Sequence, residues 1–215
     1  MSEEPITVLV GGNSFSDLDE AVDWIVKELD ASPNRVARKV SDAMRRSLQR
    51  VAGALEDAHS TPWNGDVVNP RDTLQRRSGE GLKSIRDSIH VTGSGGSVEN
   101  VKGSISTGTM TIHETGGTIT AKSGKYLTIP LPAACDSRGV PLRRSARDWD
   151  RTFVQRSRRG NLIIFQRQGR KLVPLYLLKP SVYIRPRLGL ERAYMNEMPY
   201  FQERLLDLFV KELKL

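Results

Sequence analysis

The chain has 215 residues, 38% of them hydrophobic and 27% charged, with a formal net charge of +8 at neutral pH; this suits one domain with appendages, or two small ones. A mean hydropathy of −0.42 and no apolar run near the roughly 18 residues of a helical membrane span argue against a membrane protein. The acidic opening MSEEPITVLV lacks the basic region of a secretory signal, and the single Cys135 excludes an internal disulfide and a cysteine-rich zinc site, so the expectation is a soluble protein made in a reducing cytoplasm.

Ile6–Val10 is a short apolar run closed by Gly11-Gly12, the pattern of a strand and a turn. Ser16 is placed as an N-cap, with Asp17, Asp19 and Glu20 in the first turn, where the helix dipole favours anions. Leu18, Ala21, Val22, Ile25, Val26 and Leu29 follow at three- and four-residue spacing, which makes 17–30 an amphipathic helix. The head is acidic: in residues 1–30 one cation, Lys27, stands against eight carboxylates, a net −7. Ser32-Pro33 opens a second helix, Ser at the N-cap and Pro at N1. Its stripe of Val36, Val40, Met44, Leu48, Val51 and Leu55 predicts a helix over 33–58, roughly 39 Å long, with Arg35, Lys39, Arg46 and Arg50 on the opposite face.

Residues 59–80 are rich in turn formers and read as a connection, with at most one helical turn. Beyond them Ser84–Val91, Val98–Val101, Ser104–His113, Gly117–Ala121 and Tyr126–Leu131 alternate or are β-branched, separated by Gly, Ser and Lys-Ser-Gly-Lys turns, the pattern of antiparallel hairpins. Residues 132–160 are long, Arg-rich and poor in regular period, as in a functional or mobile loop. Asn161–Arg167 and Leu172–Leu178 flank a tight turn at 168–171, and Ser181–Ile184 adds a short strand ended by Arg185-Pro186-Arg187. From Gly189 the tail is helical, with a break expected at Pro199 and a second helix whose apolar side is Phe201, Leu205, Leu208, Phe209 and Leu213. The fold class expected is α+β: an antiparallel sheet of hairpins with a long N-terminal helix packed on it, a C-terminal helix and a long basic loop. Residues 1–32 are read as an acidic extension and 33–215 as the domain, with 132–160 inserted in the sheet.

Catalytic constellations are thin. His59, His90 and His113 show no metal-ligand spacing. His113-Glu114, placed at a strand end, is weighed as an acid–base pair against a polar pair that fixes the turn before Gly116-Gly117, and the second reading is preferred. Cys135, beside Asp136, has no evident His partner and reads as an incidental thiol. Gly93, Gly95 and Gly96 lack the Lys-Ser/Thr of a phosphate loop and read as a hairpin tip. Trp24, Trp63 and Trp149 are too dispersed for a base-stacking platform. No enzyme activity, cofactor, metal or small-molecule substrate is expected. Gly116 and Gly117 are singled out as a structural turn needing backbone angles that other residues avoid. Residues 138–171 carry a net +9, and within them Arg143, Arg144, Arg147, Arg151, Arg156, Arg158 and Arg159 are the candidate contacts to a partner or to nucleic acid.

Three segments carry a resemblance. RSGEGLKSI (Arg77–Ile85) is similar to an "RTG-x-Leu-x-x-Ser-Ile" opening in tail-completion or neck proteins of tailed bacteriophages. IHETGGTITAKSGKYLTIPL (Ile112–Leu131) resembles their His-Glu-x-Gly-Gly strand end leading to a "Tyr/Phe-Leu-x-Ile-Pro" strand. NLIIFQRQGRKLVPLYLLKPSVYIRPR (Asn161–Arg187) resembles their hairpin followed by "Leu-x-x-x-Val-x-Ile-Pro-x-Arg", with Arg185 where the pattern has Pro. The resemblance covers about residues 77–205, and residues 1–30 have no counterpart in it. It implies a small sheet with a long N-terminal helix across it and a C-terminal helix, in a virion structural protein. It also implies a ring of copies, commonly sixfold, that joins head to tail. The partners implied are further copies of the chain, a head-side connector or adaptor, tail-terminator or tail-tube proteins, and double-stranded DNA passing non-specifically through the lumen, with host cytoplasm as the place of assembly. The alternatives weighed are a non-specific nucleic-acid-binding protein working through residues 138–171 and a small hydrolase acting through His113 and Glu114.

Overall fold

The computed structural model describes residues 8–10, 12–31, 33–65, 72–122 and 124–212. In chain order the elements are β1 (Val8–Val10), β2 (Asn13–Phe15), α1 (Leu18–Ala31), α2 (Pro33–Ala58), α3 (Glu80–Asp87), β3 (His90–Thr92), β4 (Lys102–Ser104), α4 (Thr111–Thr115), β5 (Gly117–Thr120), β6 (Leu127–Pro130), β7 (Thr152–Arg156), β8 (Leu162–Gln168), β9 (Lys171–Lys179), β10 (Ser181–Ile184) and α5 (Leu190–Glu212). The fold is α+β. All pairings between these strands are antiparallel: the pairs β1–β2, β3–β4 and β5–β10, and a four-stranded sheet in the order β6-β9-β8-β7. The chain forms two compact units, one of residues 1–54, 85–106 and 190–215, the other of residues 55–84 and 107–189.

In the first unit, the cap of α1 sits one residue later than expected. Asp17 Oδ1 accepts the Glu20 N–H at 2.8 Å, while the Glu20 carboxylate turns back to accept the backbone N–H and the hydroxyl of Ser16 at 3.0 and 2.8 Å. Two donors at the helix start are thereby satisfied by side chains. Ser32, the expected cap of α2, lies outside the described residues, as do Gly11, Ser123 and Leu213. The predicted stripe of α2 is its inner face: Val36, Val40, Leu48, Val51 and Leu55 are all buried. Its neighbour is the β3–β4 pair, which Gly103 brings so near that a Cβ there would lie 2.3 Å from Met44 Sδ.

Helix α5 runs antiparallel to α2. Glu197 accepts from the Ser47 hydroxyl at 2.6 Å and from Arg50 at 2.8 Å, and pairs with Arg204. One span further on, Glu212 pairs with Arg35 at 3.1 Å and with Lys39. Glu197 to Glu212 and Arg50 to Arg35 are each 15 residues apart, about 22 Å on either helix, so the two clamps match in length. Burial pushes the Glu197 carboxyl up, but Ser47, Arg50 and Arg204 outweigh it and hold the group below the usual range.

The break expected at Pro199 is absent, and α5 is continuous from Leu190 to Glu212. Proline removes one helical N–H bond and crowds the carbonyl four residues back. Here Glu197 on one side and buried Phe201 on the other are both fixed, so tertiary anchors override the local preference. Pro199→Ala, at an exposed position, is expected to stabilise the protein by about 1–3 kcal/mol, read as a raised midpoint in urea.

Three predicted strands differ. Ser84–Val91 is the end of α3 followed by β3, because Leu82, Ile85 and Ile89 fit a helical period as well as an alternating one, and Ser78 Oγ accepts the Glu80 N–H at 3.3 Å. Val98–Val101 contains a 3-10 turn, Val98–Asn100. Ser104–His113 becomes a 3-10 turn, Gly108–Met110, and the helical turn α4. The threonines there bond locally: Thr107 and Thr111 hydroxyls lie 2.7 Å apart, and Thr115 Oγ1 donates to the Thr111 carbonyl at 3.2 Å. Such bonds offer the backbone an alternative to a ladder.

In the second unit the tight turn at 168–171 is present as expected, with Gln168 paired to Lys171 and positive φ at Gly169. Residues 132–160, read as one long loop, contain instead two 3-10 turns, a Cys135–Pro141 bridge and strand β7. The physical reason is local capping plus a core contact. Ser145 and Asp148 form a reciprocal capping box, and Ala134, Ala146 and Trp149 pack on Leu175 and Tyr176.

Candidate functional site

A cleft of about 620 Å³ lies in the second unit, lined by residues 74–79, Gly81 and Leu82, by Met110 and His113, and by Val182–Arg185 and Arg187 of the β10 segment. The three stretches on which the phage resemblance rests all contribute. Its charged lining is cationic, Arg76, Arg77, Arg185 and Arg187, with His59 and His113 beside them and no Asp or Glu among the described residues. Leu74, Leu82, Met110, Val182 and Ile184 supply apolar wall.

The backbone that shapes the cleft is built from α4 and its exit. The His113 carbonyl accepts two N–H groups, from Arg187 at 2.7 Å and Leu188 at 2.8 Å. Gly116 closes α4 by donating to the Ile112 carbonyl at 3.0 Å. Its φ of 69° and ψ of 177° belong to a region that is essentially glycine's alone. Gly117 follows at φ 144° and pairs with Ile184 as β5 begins. The HETGG run is therefore a helix end rather than the strand end expected, and it locks the Arg185-Pro186-Arg187 turn.

Two side chains of the lining are held and two are left wanting. His59 is 3% exposed; its Nδ1 accepts the Leu74 N–H at 3.1 Å, so Nε2 carries the proton, donated to the Leu188 carbonyl at 3.0 Å. Arg77 donates to the Gly139 carbonyl at 3.2 Å and lies 5.3 Å over the Trp63 ring. By contrast, His113 Nδ1 and Arg187 Nε are buried and have no hydrogen-bond partner among the described residues. Such groups are costly unless something satisfies them.

Burial, then the charges of Arg187 and His59, push the His113 imidazole below its usual range. The unfolded chain takes up a proton near pH 6.5 while folded His113 stays neutral to lower pH, so the unfolded state binds more protons there. Stability is expected to fall as pH drops below about 6.5 and to level off beneath the depressed value. In urea melts across pH 7 to 5, His113→Asn should flatten that slope.

The candidate arginines do not converge. Arg143, Arg144 and Arg147 are exposed before β7, with Arg143 5.9 Å from the Trp149 ring. Arg156, Arg158 and Arg159 are exposed at the other end of β7, where Arg156 donates to the Gly160 carbonyl at 2.9 Å. Strand β7, whose five residues end with Arg156 itself, runs between the groups over about 17 Å. Arg151 holds a positive φ of 55°, and its carbonyl accepts the Arg167 N–H at 3.1 Å. Glu114 lies on α4 beside His113. Cys135 is buried, and its thiol is pushed up by that burial, the opposite of an activated nucleophile. Among the described residues no group of His, Cys, Asp and Glu is placed to hold a metal.

Sequence reasoning had singled out His113 and Gly116 but not the cleft, whose walls lie over 100 residues apart in the chain. The usable signal was paired arginines near a Gly or Pro, Arg76-Arg77-Ser78-Gly79 and Arg185-Pro186-Arg187. Compared with family models, curated proteins and solved structures, the chain matches none.

Proposed function

We propose that the chain is a ring-forming structural subunit of a phage neck, one of several identical copies that join head to tail and line the DNA passage. What supports this reading is that each of the segments 77–85, 112–131 and 161–187, which carry the likeness to tail-completion proteins, contributes to one shared cleft, the second through His113 and the third through its β10 end. Exposed apolar stripes on two helices add to it: Leu18, Val22 and Val26 on α1, and Met195, Leu206 and Val210 on α5. Stripes of this kind mark surfaces that another molecule covers. Its partners are further copies, a head-side connector or adaptor and tail-terminator or tail-tube proteins, with duplex DNA in the lumen and the virion as its location. Light scattering and negative-stain images of the purified protein, alone and with isolated tails, should give closed rings. A monomer at all concentrations that also ignores tails would sink the reading.

A second reading, non-specific nucleic-acid binding, is favoured by the hairpin region 151–171, which holds seven cations and no carboxylate. Replacing Arg143, Arg144, Arg158 and Arg159 by Ala should then lower the slope of log affinity for duplex DNA against log salt by about 0.9 per lost phosphate contact. An unchanged slope would remove DNA from the list of direct partners.

A further inference from the structure

We propose that the arginine cleft of one copy receives the acidic helix α1 of the next copy. This self-interface rests on the ring reading above and names the contact that builds the ring.

The cleft asks for an anion with apolar neighbours. Arg76 and Arg185 are exposed, the lining contains no carboxylate among the described residues, and His113 Nδ1 and Arg187 Nε are buried with no hydrogen-bond partner among those residues. The same lining includes Leu82, Met110 and Val182. A duplex backbone would meet the charges but leave the apolar wall unused, and a cleft of about 620 Å³ has the size of sites that enclose small groups or side chains.

Helix α1 presents the complement. Leu18, Val22 and Val26 are 66%, 47% and 48% exposed, at i, i+4 and i+8 on a 14-residue helix. They form a straight apolar ridge about 12 Å long. Asp19 and Asp23 follow Leu18 and Val22 directly and are exposed. Unlike Asp17 and Glu20, which are spent on the cap, neither has an ion-pair partner among the described residues. The net −7 of residues 1–30 against a net +15 in the rest of the chain gives such a docking long-range attraction as well. The ridge and the cleft are different surfaces, so the contact is heterologous, and heterologous contacts generate rings when the rotation closes.

Charge reversal tests the contact on the full-length protein. Asp19→Arg with Asp23→Arg alters the ridge; Arg76→Glu with Arg185→Glu alters the cleft; all four positions are exposed, and circular dichroism checks that each variant folds. By light scattering at rising concentration, the wild type should self-associate, and each one-sided reversal should weaken this by about a hundredfold. Mixing the two reversed proteins should restore assembly. Rings that form equally well in every variant would overturn this contact while leaving the ring reading standing. A wild type that stays monomeric throughout would overturn both.

Discussion

Gly116→Ala is expected to cost about 3 kcal/mol or more of unfolding free energy, since the backbone region alone costs about 1–3 kcal/mol and forced overpacking adds about 1–3 kcal/mol. At φ 69° and ψ 177°, an added Cβ would lie 2.8 Å from Pro186 Cδ and 3.2 Å from both the Pro186 nitrogen and the Ile184 carbonyl. Those neighbours are backbone or ring atoms that cannot swing aside. Gly124 provides the control: its φ is +87° but nothing lies within 4 Å of its added Cβ, so Gly124→Ala should show the backbone part alone, about 1 kcal/mol. The difference between the two variants in urea reports the close approach together with the glycine-only backbone region of Gly116. Because Pro186 sits between Arg185 and Arg187, the proposed docking at the cleft predicts that the same substitution also weakens self-association, through displacement of the cleft rather than loss of charge. Equal costs at both glycines would show that the HETGG end does not rest on the Pro186 turn.

What could be read from the sequence follows the range of the forces involved. Helix α2 was legible because one stripe from Val36 to Leu55 runs through most of its 26 residues and no competing pattern intrudes. The β8–β9 hairpin was legible because its turn needs a glycine where Gly169 stands. Short segments were not. Ile85 and Ile89 satisfy a helical and an alternating pattern together, and the threonines from Thr107 to Thr115 decide the matter through side-chain bonds invisible to periodicity. Pro199 misled for a different reason. The rule it follows is local, whereas the clamp at Glu197 joins residues some 150 positions apart. The cleft escaped notice on the same ground: Arg76, His113 and Arg187 become neighbours only through the β5–β10 pairing and the two N–H groups gathered by the His113 carbonyl. Residues 132–160 look like loop because much of their order comes from outside, from pairing with β8 and from the face of β9.

That dependence makes the last expectation specific. Strand β9 carries a bulge: Ile164 of β8 pairs with Tyr176 and Phe165 with Pro174, which leaves Leu175 as the extra residue. A bulge turns two consecutive side chains to the same side, and here Leu175 and Tyr176 are 0% and 4% exposed. Pro174 belongs at such a place, where the ladder is interrupted. Leu175 holds the Arg-rich segment twice. Its carbonyl accepts the Leu131 N–H at 2.8 Å, and its side chain lies with Ala134, beside Ala146 and Trp149, whose indole donates to the Tyr176 hydroxyl at 3.1 Å. Leu175→Ala should therefore cost about 2–5 kcal/mol, while Leu172→Ala on the same strand, at a position 48% exposed, should stay within about 0.5 kcal/mol of wild type. The cavity should also loosen what it supported. Trypsin should cut after Arg143, Arg144 or Arg147 faster in Leu175→Ala than in Leu172→Ala or the wild type, because cleavage tracks the population of the opened segment. Equal cleavage in all three would mean that β7 and the capping box, not the bulge, keep these arginines in place.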